Sequence, residues 1–186
     1  MKRWFNTMIM VLAAMVCMGT QAAFAAPTVP EDIYEWVQSS SRANYFFNKQ
    51  QICYGTDAEG YIDQNVLIVP TLKTYDDVQI QDVVDKRRWK MLSMDGYDRL
   101  AGETEYLRIN VAKRTVQIDE SDDVDDTWSV LSSEHPADVT EIDKLAERNV
   151  DRTFYEGILN YAKKHQEAIL AQSKGKIRPV PAAVKK

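Results

Sequence analysis

Tyr106-Leu107-Arg108-Ile109-Asn110-Val111-Ala112-Lys113-Arg114-Thr115-Val116-Gln117-Ile118 alternates apolar and polar side chains on both sides of a short basic link. Leu107, Ile109 and Val111 fall on one side of an extended chain, and Tyr106, Arg108 and Asn110 on the other. Val116 and Ile118 repeat the pattern against Thr115 and Gln117. Period-two alternation around a tight connection marks an antiparallel β-hairpin with one buried face. Ala112-Lys113-Arg114 supplies the turn.

Working back from the hairpin, Ser93 to Glu103, with Gly96 and Gly102, reads as a loop. Before it, Asp76-Asp77 caps a helix that carries Val78, Ile80, Val83, Val84 and Arg87, with Trp89 and Leu92 extending its apolar contacts. Val66-Leu67-Ile68-Val69 is an unbroken apolar run, as expected of a strand buried on both faces, and Pro70 calls for an edge or a bulge. Gly55 to Gly60 is a turn, and the aromatic Asn44 to Tyr54 makes two strand pieces or one irregular strand. Thr28-Val29-Pro30-Glu31-Asp32 has the chemistry of a helix start, with Ile33, Trp36 and Val37 on one face of a short helix.

Working forward, an acidic loop follows the hairpin, and Thr127 to Leu131 forms a strand around Trp128. Helices are expected near Thr140 to Arg148 and from Asp151 to Gln172. The second places Phe154, Ile158, Tyr161 and Ala162 along one stripe. This order predicts an α+β fold: a mostly antiparallel β-sheet packed against helices, with a helical C-terminal segment.

Lys2 and Arg3 precede an apolar run from Met8 to Met18, and Ala23-Phe24-Ala25 places small residues at the two positions that signal peptidase reads. The expectation is a signal peptide over 1–25, cleaved near Ala25, and export to the periplasm or the medium. A single domain then occupies 26–172. Residues 173–186 form a disordered basic tail with two prolines. The 186-residue chain has 23 basic and 28 acidic side chains, a net charge of −5, which becomes −7 once Lys2 and Arg3 leave. A surplus of acid disfavours nucleic acid as a partner, because phosphate binding needs cations on one face. No transmembrane segment is expected in the mature chain. Of the two cysteines only Cys53 survives cleavage, so no disulfide forms within the mature chain.

From Trp36 to about Leu131 the order of features resembles the surface-adhesin protein E family of small exported bacterial proteins. The likeness rests on the aromatic strand Asn44-Tyr45-Phe46-Phe47-Asn48 with Gln51-Ile52, the apolar strand after it, and the hairpin from Tyr106 to Thr115. Val111 stands where the family's strand ends in a cysteine, so the family's disulfide has no counterpart. The resemblance implies an antiparallel sheet packed on helix and a binding role, and it transfers no functional residue.

Asp119-Glu120-Ser121-Asp122-Asp123-Val124-Asp125-Asp126 is the densest charge feature. Calcium takes six to eight oxygens, and Asp119, Asp122, Asp123, Asp125 and Asp126 are the candidate ligands. An EF-hand loop fails in both registers: position six is Val124 or Thr127, and position twelve is Val130 or Ser133. Lys86-Arg87-Arg88 with Lys90 spreads around a helix end and makes no single phosphate cradle. His135 and His165 lack metal-binding spacing. Nucleophile-elbow, P-loop and dinucleotide glycine motifs are absent. The expected function is a non-enzymatic, adhesin-like module that binds an envelope or extracellular macromolecule, with Tyr45, Phe47, Trp89 and Trp128 as candidate contacts and no cofactor beyond calcium. The alternatives are a small exported hydrolase using carboxylates and a calcium-stabilised structural envelope protein.

Overall fold

A computed structural model of the chain describes residues 28–177; the expected leader and the tail beyond residue 177 lie outside the described residues. In chain order the elements are β1 (Tyr34–Ser39), β2 (Ala43–Asn48), β3 (Cys53–Thr56), β4 (Ile62–Tyr75), α1 (Asp77–Trp89), β5 (Leu100–Asn110), β6 (Thr115–Asp125), β7 (Val130–Glu134), β8 (Val139–Glu141), α2 (Val150–Lys164) and α3 (Gln166–Gln172). The eight strands form one antiparallel sheet ordered β1-β2-β4-β5-β6-β7. β3 pairs with β4 beyond the end of β2, and β8 pairs with β6. The fold is α+β, with helices at its C-terminal end.

Leu107, Ile109 and Val116 are buried on the inner face, as their alternation demands. Against them pack Phe154, Ile158 and Ala162 of α2 and Ile169 of α3, with Phe47, Leu67 and Val69 from the neighbouring strands. The edge-to-face pair Phe47–Tyr161, at 4.8 Å, and the tilted pair Tyr45–Phe154, at 5.4 Å, tie β2 to α2. α1 starts as expected, with Asp76 Oδ1 accepting the Gln79 amide at 2.8 Å. It lies over the other half of the same face, where Val84, Tyr97 and Leu100 form a smaller core.

Several local expectations are corrected. Residues 34–39 form β1, not a helix: Trp36 pairs with Phe46 while Val37 meets Gly157 of α2, so alternation across the sheet wins over the i, i+3, i+4 spacing. Pro70 sits inside a central strand, at neither an edge nor a bulge of β4. Its place is the gap where the partner of β4 changes from β3, at Ile68, to β2, at Thr71. The loops expected at 100–103 and 119–125 are the outer halves of β5 and β6. Residues 127–129 form a turn ahead of β7, in which Asp125 Oδ1 accepts the Thr127 and Ser129 amides and Trp128 takes φ 64°. Residues 139–144 are β8 and a 3₁₀ turn that buries Ile142, and the next helix is capped by Asn149 rather than Asp151. The last described residues do not hang free: Lys176 exchanges backbone hydrogen bonds with Gly60 and Ile62, each at 2.9 Å.

Candidate functional site

Four charged or phenolic side chains from β4 and β5 meet on the inner face between α1 and α2. Register places Lys73 opposite Glu103 and Thr71 opposite Glu105. Lys73 Nζ donates to Glu105 Oε1 at 2.7 Å and to Glu103 Oε2 at 3.1 Å. Glu103 also accepts from Tyr75 OH at 2.9 Å and from Ser121 Oγ at 2.6 Å. Burial alone would lower the Lys73 pKa, but the Glu105 and Glu103 carboxylates outweigh it and raise it. Burial pushes Glu103 upward too, yet Lys73 and the two hydroxyls hold it below the usual carboxylate range. Glu105, deeper and with Lys73 as its side-chain partner, is raised by burial. Above Lys73, Tyr75 and Glu103 opens a cleft of about 260 Å³, walled by Ser40–Ala43, Tyr45, Gln79 and Val150.

A second cluster adjoins it across β6. Tyr97 OH donates to Asp123 Oδ2 at 2.5 Å and sits 2.7 Å from Ser132 Oγ. The Arg87 guanidinium lies 4.0 Å over the Tyr97 ring and donates to Ser132 at 3.2 Å. Burial and the hydrogen bond to Asp123 push the Tyr97 phenol up to about 12 from its ordinary 10. A group raised in the folded state stabilises below its unfolded pKa and loses that contribution as pH passes the folded one. Folding stability should therefore fall as pH rises from 10 through 12, and Tyr97→Phe should flatten that fall. Urea titrations across this range check it.

A lysine held protonated cannot attack a carbonyl, and a carboxylate engaged with a lysine and two hydroxyls is a poor base. Glu103 borders the cleft and Glu105 does not. Geometry therefore casts this cluster as an electrostatic clamp across β4, β5 and β6.

The outer face presents different chemistry. Trp36, 58% exposed, stands beside Phe46 and Tyr34 at the β1–β2 edge. Hydrogen bonds link Trp36 Nε1 to Ser39 Oγ at 3.2 Å, Ser39 to Asn44 at 2.6 Å, and Asn44 to Thr74 at 3.1 Å. Tyr34, Trp36, Asn44, Phe46 and Thr74 line a groove of about 650 Å³ together with Glu31, Glu35 and Lys49. Its one cation, Lys49, pairs with Glu35 at 3.4 Å, and Glu31 adds one further carboxylate. No described helix packs on this face.

The chain matches no protein-family model, no curated protein and no solved structure.

The residues singled out in the sequence are dispersed by the fold. Phe47, 1% exposed, and half-buried Tyr45 belong to the inner core. Trp128 is half-buried in its turn, while Trp89 stands free at the end of α1. The acidic run is extended strand, so its carboxylates point to opposite faces. Asp119 pairs with Arg108 at 2.6 Å, Asp126 with Arg99, Asp123 with Tyr97, and Asp125 with its own turn. Asp122 is buried, with one oxygen that has no hydrogen-bond partner among the described residues. Among the described residues no three His, Cys, Asp or Glu side chains come together as a metal site. His135 Nδ1 meets the Asp119 carbonyl at 3.0 Å and His165 stacks on Tyr161 at 4.2 Å. Cys53 is a free, half-buried thiol whose pKa is raised by burial. Sequence reasoning missed Lys73, Glu103 and Glu105. Their one local trace is the period-two spacing of Glu103 and Glu105, which continues the alternation of Leu107 and Ile109.

Proposed function

We propose that this chain is an exported, non-enzymatic binding module of the cell envelope, and that the groove at the β1–β2 edge takes its partner. The carrying observation is the exposed Trp36 on a sheet face that no described helix covers. An open aromatic surface of this kind marks a contact site. Flat aromatic faces beside the neutral groups of Asn44, Ser39 and Thr74, with the one cation of the groove already paired, suit a sugar-bearing polymer. Its C–H faces stack on Trp36 and Tyr34 while its hydroxyls bond to the amide and hydroxyl row.

Co-sedimentation with purified cell-wall sacculi tests the reading. Trp36→Ala should cut the bound fraction about tenfold, on the scale of losing one aromatic anchor, with the melting temperature unchanged. Equal retention of wild type and variant, or no retention of either, overturns it. The carboxylate hydrolase has one observation behind it, the Glu103–Glu105 pair, and Lys73 occupies both.

A further inference from the structure

We infer that the C-terminal tip of α1 is a contact point for an anionic phospholipid surface. Trp89 is 84% exposed, Met91 91% and Leu92 42%, three large apolar side chains in four consecutive residues. They form a protruding end, not the wall of a groove. Lys86, Arg88 and Lys90 surround them and all face solvent. Arg88 shares its charge with Asp85 at 3.3 Å, while Lys86 and Lys90 form no ion pair among the described residues. In a chain with more acid than base, this end of α1 is a local concentration of cations with apolar tips between them. Indole at the headgroup level, aliphatic side chains just beneath it and ammonium groups against phosphate are what an interfacial contact requires.

The backbone holds this tip in an unusual way. The Met91 amide bonds to the Arg88 carbonyl at 3.0 Å and the Leu92 amide to the Arg87 carbonyl at 3.1 Å, the double closure of a Schellman end. The left-handed residue of such an end is ordinarily glycine, and here Met91 takes φ 54°. Its side chain is almost fully in water, so core packing does not explain a methionine at that position. Arg87 turns inward and clamps the Ser93 carbonyl at 3.1 Å, fixing the direction in which residues 89–92 point. A strained, rigidly mounted and exposed methionine beside an exposed tryptophan is an arrangement that a lipid surface makes useful.

The test uses protein expressed as the full chain, purified, and sedimented with vesicles of equal parts phosphatidylglycerol and phosphatidylcholine, or of phosphatidylcholine alone. Wild type should partition about tenfold more strongly onto the anionic vesicles, and added salt should weaken the binding. The double variant Trp89→Ser/Met91→Gly should lose the binding with no drop in melting temperature, because glycine relieves the φ strain. Lys86→Gln/Lys90→Gln should lose the preference for anionic lipid. Undiminished binding by the Trp89→Ser/Met91→Gly variant overturns the inference, as does wild type that ignores both vesicles. Trp36→Ala leaves this binding intact, so the inference stands or falls apart from the groove.

Discussion

Lys73→Met should destabilise the domain by about 3–5 kcal/mol, the range for removing one member of a buried ion pair. The substitution keeps much of the stem beside Tyr45 and Tyr75, with which Lys73 lines the cleft, and removes the one cation that Glu103 and Glu105 share. Two carboxylates then face each other in a site where Glu105 is almost inaccessible. In that variant the carboxyls must take up protons to fold, so their folded pKa values lie above the unfolded ones. Stability is then fullest below the unfolded carboxylate range and falls as pH rises through the raised values. The deficit against wild type should be largest near neutrality and narrow toward pH 4. Urea unfolding of wild type, Lys73→Met and Lys73→Met/Glu103→Gln/Glu105→Gln checks the account. The triple variant should recover most of the loss, because it leaves no unpaired charge. A single-variant loss under about 1 kcal/mol, typical of a solvated pair, would show that water reaches the cluster and that the clamp is not structural.

Gly102→Ala should cost about 3 kcal/mol or more, at the upper end of overpacking effects. A Cβ on Gly102 would stand 2.0 Å from the Lys73 carbonyl oxygen and 3.1 Å from its carbon, both backbone atoms of the adjacent strand. Nothing flexible can yield there, so β4 and β5 must part. The cause is the irregular register between Leu100 and Gly102 against β6, which fits Ala101 in as an extra residue and presses Gly102 onto β4. Since Thr74 pairs with Gly102 and Lys73 with Glu103, the parting also loosens the charge cluster. Amide exchange at Thr74 and Glu103 should accelerate together. A variant within about 0.5 kcal/mol of wild type would show that the strands separate there at little cost.

The hairpin, the capped helix and the stripe on α2 were legible because each rests on local periodicity or a local cap. Leu107, Ile109 and Val116 announce their inward face; Asp76 announces α1. The outer halves of the same strands were not, because charged residues do there what apolar ones do elsewhere. Glu103 and Asp123 read as loop composition, and Glu105 fell outside every expected element. Glu105 is buried and the other two half-buried because Lys73, Tyr75 and Tyr97 meet them from 26 to 32 residues away. The same range hid the clamp itself. In Asn44-Tyr45-Phe46-Phe47 apolar character runs on without alternation, so no local rule says which aromatic points outward. The fold turns Tyr45 and Phe47 inward and Phe46 out, a one-residue difference with opposite functional meaning. Trp36 reads as part of the apolar face of a short helix, but its exposure follows from pairing in a strand with Phe46, beyond the local spacing that suggested the helix.

Among the described residues β3 has a strand partner on one side only, and Gln172 and Ser173 meet its other side. The Tyr54 amide donates to Ser173 Oγ at 2.8 Å, and the Gln172 side chain reaches the Ile52 carbonyl just ahead of the strand. A growing polypeptide therefore exposes a naked strand margin until Gln172 and Ser173 have been added. Self-association should be most hazardous in that interval, and clipping the chain ahead of Gln172 would make the hazard permanent.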